Sequence, residues 1–349
     1  MLQLLLVCFA LFCNFASGPA TIMGNKMVFL NAGFQFPILL TVAHYGCTWL
    51  VIKSMLRLGV YSPAPSQLLT SSGTRRAVFL LISSWSFYNI MSNLSLSKNS
   101  VGIYQMVKLL MAPGAVVWDA ALYGKHPTLR QAFLLCLAVC GVSLCTVSSF
   151  DTGELTSSGL AAAFAAVFLA IVQKGLTSHV IQHSEDKLSP LQLLDSCMPW
   201  MCSITVFCAI LLEDLAAASR QLQASTCMAI ALSSVLGTLA NVSSTWVLGL
   251  TSPLAHILLG QLKTIAILLG GFIFFDEEPT LRTFLGAVAA LTGMTMYAWT
   301  KLPRENREMH EGNQACEVDD EETAICKEEP PEIKNIWSVG SPKGSGCRG

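Results

Sequence analysis

Charge is what this 349-residue chain has least of: Asp, Glu, Lys and Arg make up 12% of it, against 53% hydrophobic residues. Soluble domains carry about 25% charged residues, so the shortage excludes an ordinary soluble domain and indicates a polytopic membrane protein. No basic patch, zinc finger or helix-turn-helix pattern is present, which argues against a nucleic-acid partner. The 13 cysteines include no CxxC pair. Ten of them (Cys8, Cys13, Cys47, Cys136, Cys140, Cys145, Cys197, Cys202, Cys208 and Cys227) fall inside apolar segments and read as small packing residues, not metal or redox groups. The histidines His44, His179, His183 and His256 lack metal-ligand spacing, and no cofactor is expected. Paired intramembrane carboxylates, a Gly-x-Gly-Asp element and a Ser/His arrangement are also missing, which argues against a membrane-embedded enzyme.

What the chain does contain is a repeat. Pro127-Thr128-Leu129-Arg130 recurs as Pro279-Thr280-Leu281-Arg282, an offset of 152 that also carries Ser100 to Ser252 and Gly141 to Gly293. One tetrapeptide would mean little in a Leu/Ala-rich chain. Agreement of the offset on both flanks, each time between two apolar segments, indicates an internal duplication.

Apolar runs of about 20 residues, the length that spans a bilayer, occur along most of the chain. The first, Leu2 to Met23, has no basic region before it and continues through Asn25-Lys26, so it reads as an irregular first transmembrane helix in preference to a signal peptide. Others follow at Phe36–Leu56, Ala77–Leu96, Val101–Leu122, Leu129–Ser149, Leu160–Val180, Leu191–Leu212, Met228–Leu250, Leu254–Phe275 and Leu281–Trp299. The expected fold is therefore an all-α membrane protein of ten transmembrane helices. Its parts are a first five-helix repeat at 1–150, a second at 151–300 and a disordered acidic tail at 301–349.

Loop charge sets the orientation. Lys53, Arg57, Arg75, Arg76, Lys125, Arg130, Lys187, Lys301, Arg304 and Arg307 fall on one side. Lys26, Lys98, Arg220 and Arg282 fall on the other, among Asp151, Glu154, Glu213, Asp214, Asp276, Glu277 and Glu278. The positive-inside rule then places both termini in the cytosol. Five helices per repeat is an odd number, so the second repeat must be inverted. Inverted repeats around a midplane site are typical of secondary transporters.

Two lysines carry the chemistry. An uncompensated charge in the bilayer costs ~2.5–3.5 kcal/mol or more, and Lys108 and Lys263 lie inside the repeat-related fourth and ninth spans. Either alone could snorkel to the interface. Both together, with no carboxylate one helical turn away, call for an anionic ligand such as a phosphate or diphosphate. The offset maps Lys263 onto Met111, one turn from Lys108 on the same helical face. Tyr104, Gln105, Thr264 and Gln261 flank the lysines, and His44, Asn93 and Asn241 are further polar residues within spans. For each of these an interhelical hydrogen bond is as good an account as ligand contact. Asn93-Leu94-Ser95 and Asn241-Val242-Ser243 match the glycosylation pattern but lie inside spans. Asp195, about a turn inside the seventh span, reads as a mouth residue or as a contact to a sugar hydroxyl or coupling proton.

At these residues the chain resembles the nucleotide-sugar transporter and triose-phosphate translocator family of the drug/metabolite transporter superfamily. The stretches that carry the likeness are Asn25-Lys26 with Gly33-Phe34-Gln35-Phe36-Pro37 and His44; Asn93-Leu94-Ser95-Leu96 with Asn99-Ser100-Val101-Gly102, Tyr104-Gln105, Lys108 and Pro113; Leu191-Gln192-Leu193-Leu194; and Thr251-Ser252-Pro253 with Gly260 and Lys263-Thr264. The resemblance is to the Golgi-type branch with Lys-Thr in the ninth span. It implies alternating-access antiport of a nucleotide-sugar into the Golgi or endoplasmic reticulum lumen against a nucleoside monophosphate. It also implies Lys108 and Lys263 as phosphate-binding residues, and the expected substrate-binding set is Lys108, Lys263, Thr264, Tyr104, Gln105, Asn93, His44, Asn241, Lys26 and Ser252. Lys263-Thr264 departs from the Lys-Arg of plastid translocators. Leu259-Gly260-Gln261-Leu262-Lys263 and Leu194-Asp195-Ser196-Cys197 depart from the GALNK and FYNN elements of GDP-mannose carriers, which favours UDP-sugars. A plastid-type sugar-phosphate/phosphate exchanger and another exporter of the superfamily are the alternatives. The oligomeric state, a homo-oligomer included, is left open.

Overall fold

A computed structural model describes residues 2–63, 72–124, 126–151, 156–183, 189–250, 253–275 and 280–318, and all the structure described is helical. In order the helices are α1 (Leu2–Leu30), α2 (Pro37–Arg57), α3 (Ser72–Lys98), α4 (Val101–Lys108), α5 (Met111–Tyr123), α6 (Leu129–Asp151), α7 (Ser157–His183), α8 (Pro190–Leu212), α9 (Leu215–Gln221), α10 (Ala224–Leu250), α11 (Pro253–Phe275) and α12 (Leu281–Val318). Among the described residues, six stretches are long and apolar enough to cross a membrane: Pro37–Arg57, Val101–Ala121, Leu129–Ser148, Ser157–Thr177, Leu191–Leu212 and Ala224–Ser244. The chain is an integral membrane protein. Exposed Phe133, Phe164, Phe168, Phe207, Ile210, Ile273 and Phe274 give the helices the apolar outer faces that a bilayer covers.

Three of the expected spans differ in the structure, and the short helix α9 is an addition to them. Asn25 and Lys26 belong to α1, which runs through Gly18-Pro19 without a break and ends at Leu30, not Met23. The expected single fourth span is two helices, α4 and α5, because Pro113 has no N–H to close a bond onto Leu109 O. That carbonyl instead accepts from Ala112 at 3.3 Å, and the chain tightens through Leu109-Leu110. Finally, α12 runs past Trp299 to Val318. The acidic tail beyond it lies outside the described residues.

The repeated Pro-Thr-Leu-Arg is a helix start. Thr128 caps α6: its hydroxyl accepts the Gln131 N–H at 3.3 Å, and the Gln131 side-chain oxygen accepts the Thr128 N–H at 3.0 Å. Thr280 caps α12 by accepting the Thr283 N–H at 3.2 Å. The two helices so begun pack against each other antiparallel, with backbone touching backbone. A Cβ on Gly141 would stand 2.5 Å from Gly286 O and Ala290 N, and one on Gly293 would stand 2.7 Å from Leu134 O and 2.9 Å from Ala138 N. Small residues allow this approach where lipid offers no hydrophobic drive for helix association.

Elsewhere α3 packs on α7, α1 on α10, α2 on α8 and α4 on α11. α2 and α8 are also clasped at both ends. Glu213, just past α8, accepts the N–H groups of Ile38 and Leu39 at 2.8 and 2.9 Å, two of the donors that the first turn of α2 leaves without helical partners. At the other end Lys53 Nζ pairs with Asp195 Oδ1 at 2.7 Å. Burial and the Asp195 carboxylate push the nearby Tyr61 phenol up to about 12, so it stays neutral beside that pair. Around the junctions α1–α2 and α3–α4 the buried side chains of Val28, Phe29, Phe34, Leu40, Leu96 and Val101 pack into an apolar plug.

Candidate functional site

Inside the bundle is a cavity of about 450 Å³. Its wall takes Gly18, Thr21, Ile22 and Asn25 from α1, His44 from α2, and Tyr88, Asn89, Ser92 and Asn93 from α3. Tyr104, Gln105 and Lys108 come from α4, Leu109 from the break and Met111 from α5. Lys174 comes from α7; Gly237, Ala240 and Asn241 from α10; and Gly260, Lys263, Thr264 and Ile267 from α11. No Asp or Glu is among these residues.

Lys108 is the last residue of α4, a helix opened by Ser100, whose hydroxyl accepts the Ile103 N–H at 3.3 Å. The break that follows ends α4 at the cavity wall. The Lys108 ammonium donates to the Tyr104 phenol oxygen, and Nζ lies 4.2 Å from the Tyr104 ring centroid and 5.7 Å from that of Tyr88. Such ring faces stabilise a cation without neutralising its charge. Tyr104 is fixed in turn by a 2.7 Å hydroxyl contact with Ser92.

Lys263 enters from α11 across Gly18 of α1, where a Cβ would come within 3.3 Å of Lys263 Cδ. Its ammonium donates to Asn14 Oδ1, and Asn14 Nδ2 donates to Ser243 Oγ at 3.2 Å. The helices carrying the two lysines are joined directly, since Gln105 Nε2 donates to Thr264 Oγ1 at 2.9 Å. Gln105 Oε1, itself buried on a residue 7% exposed, has no hydrogen-bond partner among the described residues.

A third group of neutral polar residues forms a chain across α1, α2, α3 and α10. His44 Nε2 meets Ser233 Oγ at 3.0 Å, Ser233 donates to Asn25 Oδ1, Asn25 Nδ2 donates to Asn93 Oδ1 at 2.9 Å, and Asn93 Nδ2 donates to Thr41 Oγ1 at 2.9 Å. Every member is buried. Asn93 belongs to this chain, and both Asn93 and Asn241 line the cavity.

Over residues 2–298 the chain matches the Triose-phosphate Transporter family. The chain belongs to that family. Three Arabidopsis thaliana proteins illustrate its relatives. One, named nucleotide-sugar uncharacterized transporter 2, is 32% identical over 83% of this chain and 71% of its own length. UDP-rhamnose/UDP-galactose transporter 2 is 28% identical, covering 82% of this chain and 80% of its own. UDP-xylose transporter 1 is 27% identical, with 83% and 82% covered. A protein of known crystal structure superposes with a TM-score of 0.51 at 15% identity, covering 81% of this chain and 96% of that one, which is a likeness of fold alone.

In this triose-phosphate transporter family member, eight of the ten residues expected at the site line one cavity: Lys108, Lys263, Thr264, Tyr104, Gln105, Asn93, His44 and Asn241. Lys26 does not line it. The Lys26 ammonium, 5% exposed, donates to Leu96 O at 3.0 Å and Asn99 O at 2.6 Å, carbonyls at the α3 terminus that no further helical N–H reaches. Ser252 lies outside the described residues, and the Gln261 side chain likewise. Met111 does line the cavity, although the break after Lys108 interrupts the one-turn relation expected between them. Asp195 is engaged with Lys53 instead of facing the cavity.

The sequence reading passed over Lys174, Tyr88, Asn89 and Asn14. Lys174 had a signal of its own: it is a charge within the apolar run 160–180, the same anomaly that singles out Lys108. Asn14 had none, because its partner is 249 residues away.

Proposed function

We propose that the protein is a secondary antiporter that moves a nucleotide-sugar, a UDP-sugar in the first instance, in exchange for a nucleoside monophosphate. The observation that carries this reading is the cavity itself: Lys108 and Lys263 reach it from α4 and α11, and no carboxylate among the described lining residues balances them. A diphosphate is the group of matching charge that two ammonium points on facing helices would hold. Gln105, Asn25, Asn93 and His44 bring neutral polar side chains to the same cavity, which suits ribose, sugar and base. The relatives named for UDP-rhamnose, UDP-galactose and UDP-xylose support the same class of cargo.

Alternating access then follows from two inverted repeats of five spans, at 1–150 and 151–300. Helix pairing supports the arrangement: exchanging the halves turns α3 on α7 into α10 on α1, and leaves α6 on α12, α2 on α8 and α4 on α11 as self-related pairs. So does the glycine seam. Shifting by the 152 offset turns the Gly141–Ala290 contact into Gly293–Ala138, and Gly141–Gly286 into Gly293–Leu134. With both termini cytosolic, the plug of Phe29, Phe34 and Leu40 closes the lumenal end of a Golgi or endoplasmic reticulum protein.

Counterflow in proteoliposomes tests the proposal. Vesicles preloaded with UMP, GMP, CMP or phosphate would be offered labelled UDP-, GDP- and CMP-sugars. The expected result is UDP-sugar uptake that requires internal UMP. Exchange driven by phosphate alone would transfer the chain to the sugar-phosphate exchangers, and uptake indifferent to the internal solute would refute antiport.

A further inference from the structure

Lys174 of α7 is the third ammonium on the cavity wall, and the residue is exposed where Lys108 is half-buried. It shares that wall with Tyr88, whose ring Lys108 approaches at 5.7 Å. Among the described residues no carboxylate pairs with Lys174; the one ion pair described is Lys53–Asp195. Lys174 also stands outside the repeat. The 152 offset maps it onto Ile22 of α1, an apolar residue on the same cavity wall. Charge is therefore distributed unevenly: two cations crowd the α3, α4 and α7 side, while α1, α2 and α10 present amides and hydroxyls.

A nucleoside diphosphate sugar with a neutral sugar carries one negative charge per phosphate, which Lys108 and Lys263 match. The third ammonium is then left over, on the same wall as a like charge. A further anionic group on the ligand removes that imbalance. Resting on the nucleotide-sugar reading, we propose that Lys174 is a specificity residue that receives a carboxylate on the sugar, so that the preferred cargo is an acidic nucleotide-sugar, a nucleoside diphosphate uronate. The position suits the task, because an exposed ammonium can reorient onto a ligand group where one packed between two rings cannot.

The test compares uptake of UDP-glucuronate and UDP-glucose into UMP-loaded proteoliposomes by the wild type, Lys174→Gln and Lys174→Arg. Wild type is expected to favour the uronate. Lys174→Gln should raise KM for UDP-glucuronate about tenfold, the loss expected for one charge-assisted hydrogen bond, and KM for UDP-glucose by clearly less. Lys174→Arg should restore most of the preference. An equal rise in KM for both sugars would make Lys174 a general attractor of anions and overturn the proposal, as would no change for either. Wild-type transport of UDP-glucose without UDP-glucuronate would overturn it while sparing the nucleotide-sugar reading. Transport of neither would refute both. An unchanged melting temperature of Lys174→Gln in detergent separates these outcomes from misfolding.

Discussion

Gly237 shows how tightly single residues are set around the cavity. A Cβ there would stand 2.7 Å from His44 Nδ1, so only glycine lets the imidazole reach Ser233 at 3.0 Å. Gly237→Ala is expected to displace His44, unlink the chain through Asn25 and Asn93, and destabilise the protein by about 1–3 kcal/mol as an overpacked core does. Thermal melting in detergent checks this, and an unchanged melting temperature would contradict it. At this scale the sequence was legible wherever a residue broke the rule of its surroundings. Lys108 and Lys263 stand out as charges in apolar runs, and Lys174 would have stood out on the same search. Lys26 broke the rule too, yet its charge serves two backbone carbonyls, a role that only the placement of α3 beside α1 defines. Asn14 was invisible because nothing local marks its contact with Lys263.

Among the elements, the break between α4 and α5 sets the cavity-facing end of Lys108. Pro113→Ala supplies the missing N–H and favours one continuous helix, which would re-aim Lys108 relative to Met111. The expected outcome is a kcat/KM for uptake reduced about tenfold, the cost of small misplacement of a binding group, with no loss of thermal stability. A fall in stability with transport intact would show that the break is structural only. Glu213 acts on α2 from outside the helix. Glu213→Ala leaves the N–H groups of Ile38 and Leu39 without their acceptor, and a cost of about 1–3 kcal/mol per unpaired group is expected, read as a lowered melting temperature. Runs of about 20 apolar residues made most helices legible, and Pro-Thr-Leu-Arg marked two helix starts through its capping threonine. The α4–α5 break was not read, although Pro113 is visible, because a proline in a membrane helix need not interrupt it, as Pro19 inside α1 demonstrates.

For the whole molecule, the repeat makes a prediction of its own. Gly141→Val and Gly293→Val occupy equivalent places in the α6–α12 seam, so both should lower the melting temperature by similar amounts; a loss at one site alone would argue against pseudo-symmetry. The offset of 152 was legible because the residues it relates stand at helix starts and close backbone approaches. Which helices meet was not legible, since apolar faces toward lipid and toward neighbouring helices have the same composition. The central claim is that one anionic ligand bridges Lys108 and Lys263, and UMP-dependent uptake of a labelled UDP-sugar by wild type, Lys108→Gln, Lys263→Gln and the double variant tests it most directly. Each single change is expected to reduce uptake at least about tenfold, and the double change to fall short of the product of the two, as for groups that hold one ligand together. Wild-type uptake in both single variants would contradict the account.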